Sequence, residues 1–252
     1  MAIALTTLVE EAERYLGAAR ISDYCPNGLQ VEGRPQVRRI VSGVTASQAL
    51  VDAAVEAEAD VLLVHHGYFW KGENPCVTGM KQRRLKALLA HDISLLAYHL
   101  PLDLHPEVGN NVQLARQLDI TVERLLEPDN PRTVGLLGSL AEPMTPHDFA
   151  QRVQRVLGRE PLLIEGAGLI RRVGWCTGGG QGYIDQAIAA GVDLYLTGEA
   201  SEQTFHSARE NGISFIAAGH HATERYGVQA LGDYLAKRFA LEHQFIDCPN
   251  PI

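Results

Sequence analysis

Two adjacent histidines, His65 and His66, end the apolar run of "DVLLVHHGYFWKG" (Asp60 to Gly72). Two further clusters follow the same pattern. "YHLPLD", with His99 and Asp103, follows the apolar "ISLLA", and "GHHATE", with His220, His221 and Glu224, follows "ISFIAA". Neighbours inside a strand point to opposite faces, so His65 and His66 converge only where the backbone turns at a strand end. Two adjacent imidazoles suit two metal ions better than one. If "HATERYGV" opens a helix, His220 and Glu224 lie on one face of its first turn, and a carboxylate there can bridge two ions. Asp103 adds an oxygen ligand. Imidazoles and carboxylates without sulfur suit Zn²⁺, Mn²⁺, Fe²⁺, Co²⁺ or Ni²⁺.

A lone histidine at a strand end is ordinarily only a polar terminus; the gathering of candidate ligands at three strand ends is what points to metal. His91, His105, His147 and His243 lack such company and read as surface residues. His206 and Glu199 follow a strand of the second half and are expected either to support the ligands or, the favoured reading, to be ordinary helix-face residues. "CTGGGQGYIDQA" sets glycines between a strand and a helix, where amides can cradle an anion. No G-K-[ST] follows and G-x-G-x-x-G is out of register, which favours a tight turn.

The elements that must position these residues alternate. "LTTLVEEAERYLG" reads as a helix, "SDYCPNGLQVEG" as a loop, "RRIVSGV" as a strand and "SQALVDAAVEAEA" as a helix capped by Ser47. "DVLLV", the helix "KQRRLKALLAHD", "ISLLAY" and the helix "NNVQLARQLD" follow. "LEPDNPRT" (Leu126 to Thr133) is the expected linker. Beyond it come the strand "VGLLGSL" and the helix "TPHDFAQRVQRVLG", with Thr145 as cap and Gly158 as stop. The alternation then continues to a long helix, "ATERYGVQALGDYLAKRFA", and a closing strand, "EHQFID". Near-continuous apolar strands between helices predict an α/β fold, with mostly parallel sheets covered on both faces. Ligand sites of such sheets lie beyond the carboxyl ends of the strands, where all three clusters sit.

The halves also match in order. Asp60 pairs with Asp193, and Ile93-Ser94 with Ile213-Ser214. This is either a duplicated unit or two βαβ units alike by chance.

The chain has 252 residues, 46% hydrophobic and 21% charged, with a net charge of −8. That is the balance of a soluble globular protein with a sizeable core. Arg38-Arg39, Arg83-Arg84 and Arg171-Arg172 are isolated pairs, so duplex nucleic acid is not expected as partner. The N-terminus lacks a basic secretory leader, and no apolar run nears the roughly 18 residues of a membrane span. Cys25, Cys76, Cys176 and Cys248 form no C-x-x-C pair and are expected as free thiols of a cytoplasmic protein.

Four segments, in order, resemble the GTP cyclohydrolase 1 type 2 (NIF-three-like) family. They are "NGLQVEG", "HHGYFWKG", "YHLPLD" and "GHHATERYGV", and the likeness spans nearly the whole chain. Gly67 departs from it, since many members carry proline after the two histidines. The resemblance implies two divalent ions per chain, with His65 and Asp103 on one, His66 and His220 on the other, and Glu224 bridging both. It implies two interlinked αβα domains, residues 1–125 plus 219–252 and an inserted 126–218, assembled as a toroidal homohexamer. It also implies hydrolytic opening of the GTP purine ring with release of formate. A di-metal phosphoesterase or amidohydrolase acting on another small molecule, and a non-enzymatic metal-binding scaffold, are the rival readings. His99, outside the implied ligand set, is expected either to shuttle protons or to hydrogen-bond a ligating carboxylate.

Overall fold

The computed structural model describes residues 2–130 and 133–252. The chain separates into two compact units, Met1–Gly109 with Gly227–Pro249, and Asn110–Tyr226 with Asn250–Ile252. In the first, β1 (Ile3–Ala4), α1 (Leu5–Leu16), β2 (Gly28–Val31), β3 (Gln36–Val37) and β4 (Arg39–Thr45) come in order. They lead to α2 (Gln48–Glu56), β5 (Val61–His66), α3 (Gly79–Ala90), β6 (Ser94–Ala97) and α4 (Leu100–Asp103). The second holds α5 (Asn110–Gln117), β7 (Ile120–Leu125), β8 (Leu136–Met144), α6 (Pro146–Leu157), β9 (Leu162–Ile164) and β10 (Ile170–Cys176). It continues with α7 (Ile184–Ala189), β11 (Leu194–Thr197), α8 (Glu202–Asn211), β12 (Ser214–Ala217) and α9 (His220–Thr223). From Gly227 onward α10 (Arg225–Phe239) and β13 (Glu242–Phe245) return to the first unit.

The fold is α/β, as the alternation predicts. The first sheet runs β13-β4-β5-β6-β2, parallel except for β2. Ile40, Val61, Leu63 and Leu96 pack with Leu8 of α1 and Leu231 of α10. Their neighbours Val41, Leu62, Val64 and Leu95 pack with Leu50 of α2 and Leu88 of α3. Successive residues face opposite layers, and both layers are apolar, so the strands show no polar alternation. Each fully buried Leu, Ile or Val side chain contributes about 1.5–3 kcal/mol.

The second sheet, β7-β8-β10-β11-β12-β9, is parallel only through β10, β11 and β12; the outer pairings are antiparallel. Trp175 and Leu196 pack with Phe149 of α6 on one face. Tyr195 and Phe215 pack with Ala187 of α7 and Ala208 of α8 on the other. Three features depart from the sequence expectations. β7 is an edge strand with only Ile120 buried, so it leaves no periodic signal. The division falls at Gly109 and Asn110, ahead of the segment near Leu126, because α5 places Leu114 and Ala115 in the second unit's core. Leu126 is itself buried in that unit, and Pro131 and Arg132 of the expected linker lie outside the described residues.

The two units repeat each other in detail. Asp60 Oδ2 accepts the backbone N–H of Arg38 and Arg39, and Asp193 Oδ2 accepts those of Arg171 and Arg172. Ser94 Oγ accepts from Gly33 N, and Ser214 Oγ from Gly166 N. In both units three parallel strands, β4-β5-β6 or β10-β11-β12, carry an antiparallel strand, β2 or β9, beside the third. The matched aspartates and serines tie strand entrances together and do no chemistry.

Candidate metal centre

β5 ends in His65 and His66, and their rings converge, with centroids 4.5 Å apart and planes at 44°. His65 is fully buried. Its Nδ1 lies 2.9 Å from the Tyr98 carbonyl oxygen, which can only accept, so Nδ1 carries the proton. Nε2 faces Asp103 Oδ2 at 3.6 Å, and in the neutral ring it carries the electron pair. His66 contacts Thr45 Oγ1 through Nδ1 at 3.1 Å. β6 leads into α4, whose last residue is Asp103, and His99 stands at the N-terminal cap of that short helix. Nitrogens of His65, His66 and His99 lie within 4.8 Å of one another, a group able to hold a metal ion.

His99 is fixed by the loop before β2. Asn27 Oδ1 accepts its backbone N–H at 2.7 Å, and Asp23 Oδ1 lies 3.0 Å from its Nδ1. Burial pushes the Asp23 carboxyl up, but hydrogen bonds from His99 and Asn27 outweigh it and hold it down at about 2. Burial, with the Asp23 charge, pushes the nearby Cys25 thiol up to about 12. In the metal-free protein Cys25 therefore keeps its proton and is no nucleophile. Of the two roles expected for His99, the bond to a ligating carboxylate is not what its Nδ1 makes, since that nitrogen binds Asp23.

The second unit holds its own cluster. His220 and Glu224 do not open the long helix; His220 is the first residue of the separate short α9 and Glu224 its C-terminal cap before α10 begins. His220 Nε2 still lies 3.2 Å from Glu224 Oε2, while its Nδ1 lies 2.6 Å from Glu199 Oε1. Burial pulls the His220 imidazole down, but Glu224 and Glu199 outweigh it and raise it to about 9. Of the two roles expected for Glu199, the supporting one is what it plays toward His220, as second carboxylates orient metal-ligating imidazoles. The favoured helix-face reading missed this, and its place just after β11 was the signal.

The glycine turn belongs to the same cluster. Gly178 adopts φ +69°, donates its N–H to Thr223 Oγ1 and accepts from Gly198 N through its carbonyl. A Cβ on Gly178 would land on Glu224 Oε1 and 3.0 Å from His220 Nε2. Gly180 N donates to Thr197 Oγ1. The amides of Gly178 and Gly180 are committed inside the unit, and the turn packs against His220 and Glu224.

His243 is not a surface residue. Its side chain is 6% exposed, with Nε2 2.8 Å from Ser42 Oγ and Nδ1 2.8 Å from Asp233 Oδ1. This series has the connectivity of a nucleophilic triad. Ser42, however, is fully buried in β4 between β13 and β5, so no substrate reaches its hydroxyl. His105 is also tied down, through Nε2 to the Tyr15 carbonyl and by ring contact with Tyr15. His91, His147 and His206 are exposed. The four cysteines are free, and among the described residues no helix is long and apolar enough to cross a membrane.

A family model described as Duf34/NIF3 (NGG1p interacting factor 3) matches residues 3–251. A Pseudomonas aeruginosa protein named GTP cyclohydrolase 1 type 2 homolog is 83% identical over 251 residues, covering 100% of both chains. An Escherichia coli protein of the same name is 54% identical over 248 residues, covering 98% of both. Among solved structures, protein ybgI, described as of unknown function, superposes with a TM-score of 0.95 at 53% identity, covering 99% of this chain and 100% of that one. A Thermus thermophilus protein follows with a TM-score of 0.90 at 36% identity, over 99% of this chain and 100% of its own. With a family match along nearly its whole length and relatives at this level of identity, the chain belongs to the Duf34/NIF3 family.

Proposed function

We propose that this protein is a hydrolase dependent on two divalent metal ions per chain. The observation that carries the metal reading is the facing of His65 Nε2 and Asp103 Oδ2 across 3.6 Å in the first unit. With a proton on Nδ1 against the Tyr98 carbonyl, a neutral His65 offers Nε2 as a ligand beside the Asp103 carboxylate. The sulfur-free donor set suits zinc, manganese, iron, cobalt or nickel. His65 and Asp103 would hold one ion, His66 and His220 the other, and Glu224 would be a ligand to both. Bound ions of this kind bring the pKa of water towards neutrality and polarise the bond under attack.

The chain's own residues do the rest. His99 accepts a proton at Nε2 from the attacking water and returns it to the leaving nitrogen or oxygen. Asp103 and Glu224, both buried, would supply carboxylate oxygens to the ions. The name shared by the relatives supports a guanine nucleotide as substrate, with C8 released as formate. The toroidal homohexamer and the cytoplasmic setting belong to the same proposal.

Elemental analysis of dialysed protein reloaded with Mn²⁺ or Zn²⁺ tests the metal reading. Two ions per chain are expected, with His66→Ala losing one and Glu224→Ala weakening both. One ion or none in the wild type overturns it. Loaded protein offered GTP, phosphodiesters and amides then tests the substrate. Turnover of a phosphodiester or an amide alone keeps the hydrolase and replaces the nucleotide.

A further inference from the structure

We propose that Asp23 is a positioning residue that acts through His99, fixing the imidazole with its proton on Nδ1 and its Nε2 electron pair turned to the His65–His66 side. The proposal rests on reading that cluster as a metal and proton-transfer site.

Asp23 is not a surface acid that meets His99 by chance. Its side chain is 2% exposed and that of His99 is 9% exposed. Asp23 Oδ1 accepts from Tyr24 N at 2.7 Å, and Oδ2 accepts from Asn27 Nδ2 and from Leu100 N, each at 2.9 Å. The carboxylate is thus aimed by the backbone on either side of it. Its two oxygens lie 3.0 and 3.2 Å from His99 Nδ1. A carboxylate bonded in this way accepts, so Nδ1 donates, and in the neutral imidazole Nε2 then keeps its electron pair. Tyr24 and Trp70 stand edge-on to the ring, at 5.0 and 5.1 Å between centroids, and limit its rotation.

The second unit carries the same device, assembled differently. After its third parallel strand His220 is followed four residues on by Glu224, as His99 is by Asp103. The Nδ1 of His220 also binds a carboxylate, that of Glu199. Yet Asp23 precedes β2, whereas Glu199 follows β11. The carboxylates come from unrelated places in the repeat, while the result at each imidazole is the same. Duplication alone would have matched the positions as well. What the two units share is an imidazole whose Nδ1 is held by a carboxylate, which fixes the plane of the ring and the direction of Nε2.

The test is the tautomer of His99 in the full-length protein, read from long-range ¹H–¹⁵N imidazole correlations in ¹⁵N-labelled, metal-stripped samples at neutral pH. His99→Gln assigns the signals. Expected are a protonated Nδ1 and an unprotonated Nε2 in the wild type. In Asp23→Ala the proton should move to Nε2, the form a neutral imidazole favours in water. An Nε2–H or doubly protonated His99 in the wild type overturns the proposal, and so does an unchanged tautomer in folded Asp23→Ala. If that variant does not fold, the wild-type spectrum decides alone. A purely structural Asp23 would not set the ring's tautomer. Zinc counted on the same wild-type sample after reloading separates the two readings. A protonated Nδ1 with no zinc bound supports the hold of Asp23 and overturns the metal site.

Discussion

Replacing Gly178 with alanine tests whether the glycine turn exists to let His220 and Glu224 approach each other. At φ +69° an L-residue costs about 1–2 kcal/mol. The new methyl would also meet Glu224 Oε1 and come within 3.0 Å of His220 Nε2. Overpacking of this kind costs about 1–3 kcal/mol. If the turn retreats, the 3.0 Å bond from Gly178 N to Thr223 Oγ1 is strained or lost, at about 1 kcal/mol. The sum is about 2–6 kcal/mol, a large share of a total stability of about 5–15 kcal/mol. If Glu224 swings away instead, the cost moves from folding to metal affinity, which should fall at least as far as the 10–100-fold typical of losing an orienting partner. Urea denaturation of metal-free protein and calorimetric titration with zinc measure both routes. Gly182→Ala is the control, because a Cβ there meets nothing within 4 Å. It should stay within about 0.5 kcal/mol of the wild type. A Gly178→Ala protein as stable as that control and with undiminished zinc affinity would refute the packing argument.

Glu199→Gln should lower the His220 imidazole from about 9, because one of the two carboxylates that outweigh its burial loses its charge. In metal-free wild type the raised value means a contribution of up to about 3 kcal/mol, fully present below pH 6.5 and lost as pH rises through about 9. The variant should show a smaller loss over that window, by NMR titration and by denaturation at pH 6 and pH 10; an identical profile would remove Glu199 from the cluster. Ser42→Ala should destabilise the protein by about 1–3 kcal/mol, since it strips a buried partner from His243, and should leave metal content untouched. Denaturation and elemental analysis check this, and loss of activity at unchanged stability would instead argue that Ser42 does chemistry.

How much of this was legible beforehand differs between the elements and the partners. The strands "DVLLV", "ISLLA" and "ISFIAA" announced themselves because sheets covered on both faces need unbroken apolar runs. The clusters at their ends followed from the rule that such sheets present ligand sites there. Asp60 and Asp193 were found by their matching place in the repeat, and the backbone N–H groups they accept confirm that the match is structural. β7 was not legible, because an edge strand with one buried residue has no periodicity to read.

The sequence alone determined which residue types stand at the strand ends, and hence that imidazole and carboxylate donors without sulfur would gather there. Only the tertiary structure decided how each imidazole is held. Asp23 lies 76 residues from His99, and His243 lies 201 residues from Ser42. No local spacing links such pairs. The tertiary structure also decided that Gly178 must be glycine, since the atoms a side chain would strike belong to Glu224 and His220. The physical reason is range. Hydrophobic periodicity is set within a few residues by the geometry of helix and strand, whereas a hydrogen bond or a steric limit is set by whatever the folded chain brings within about 3–4 Å.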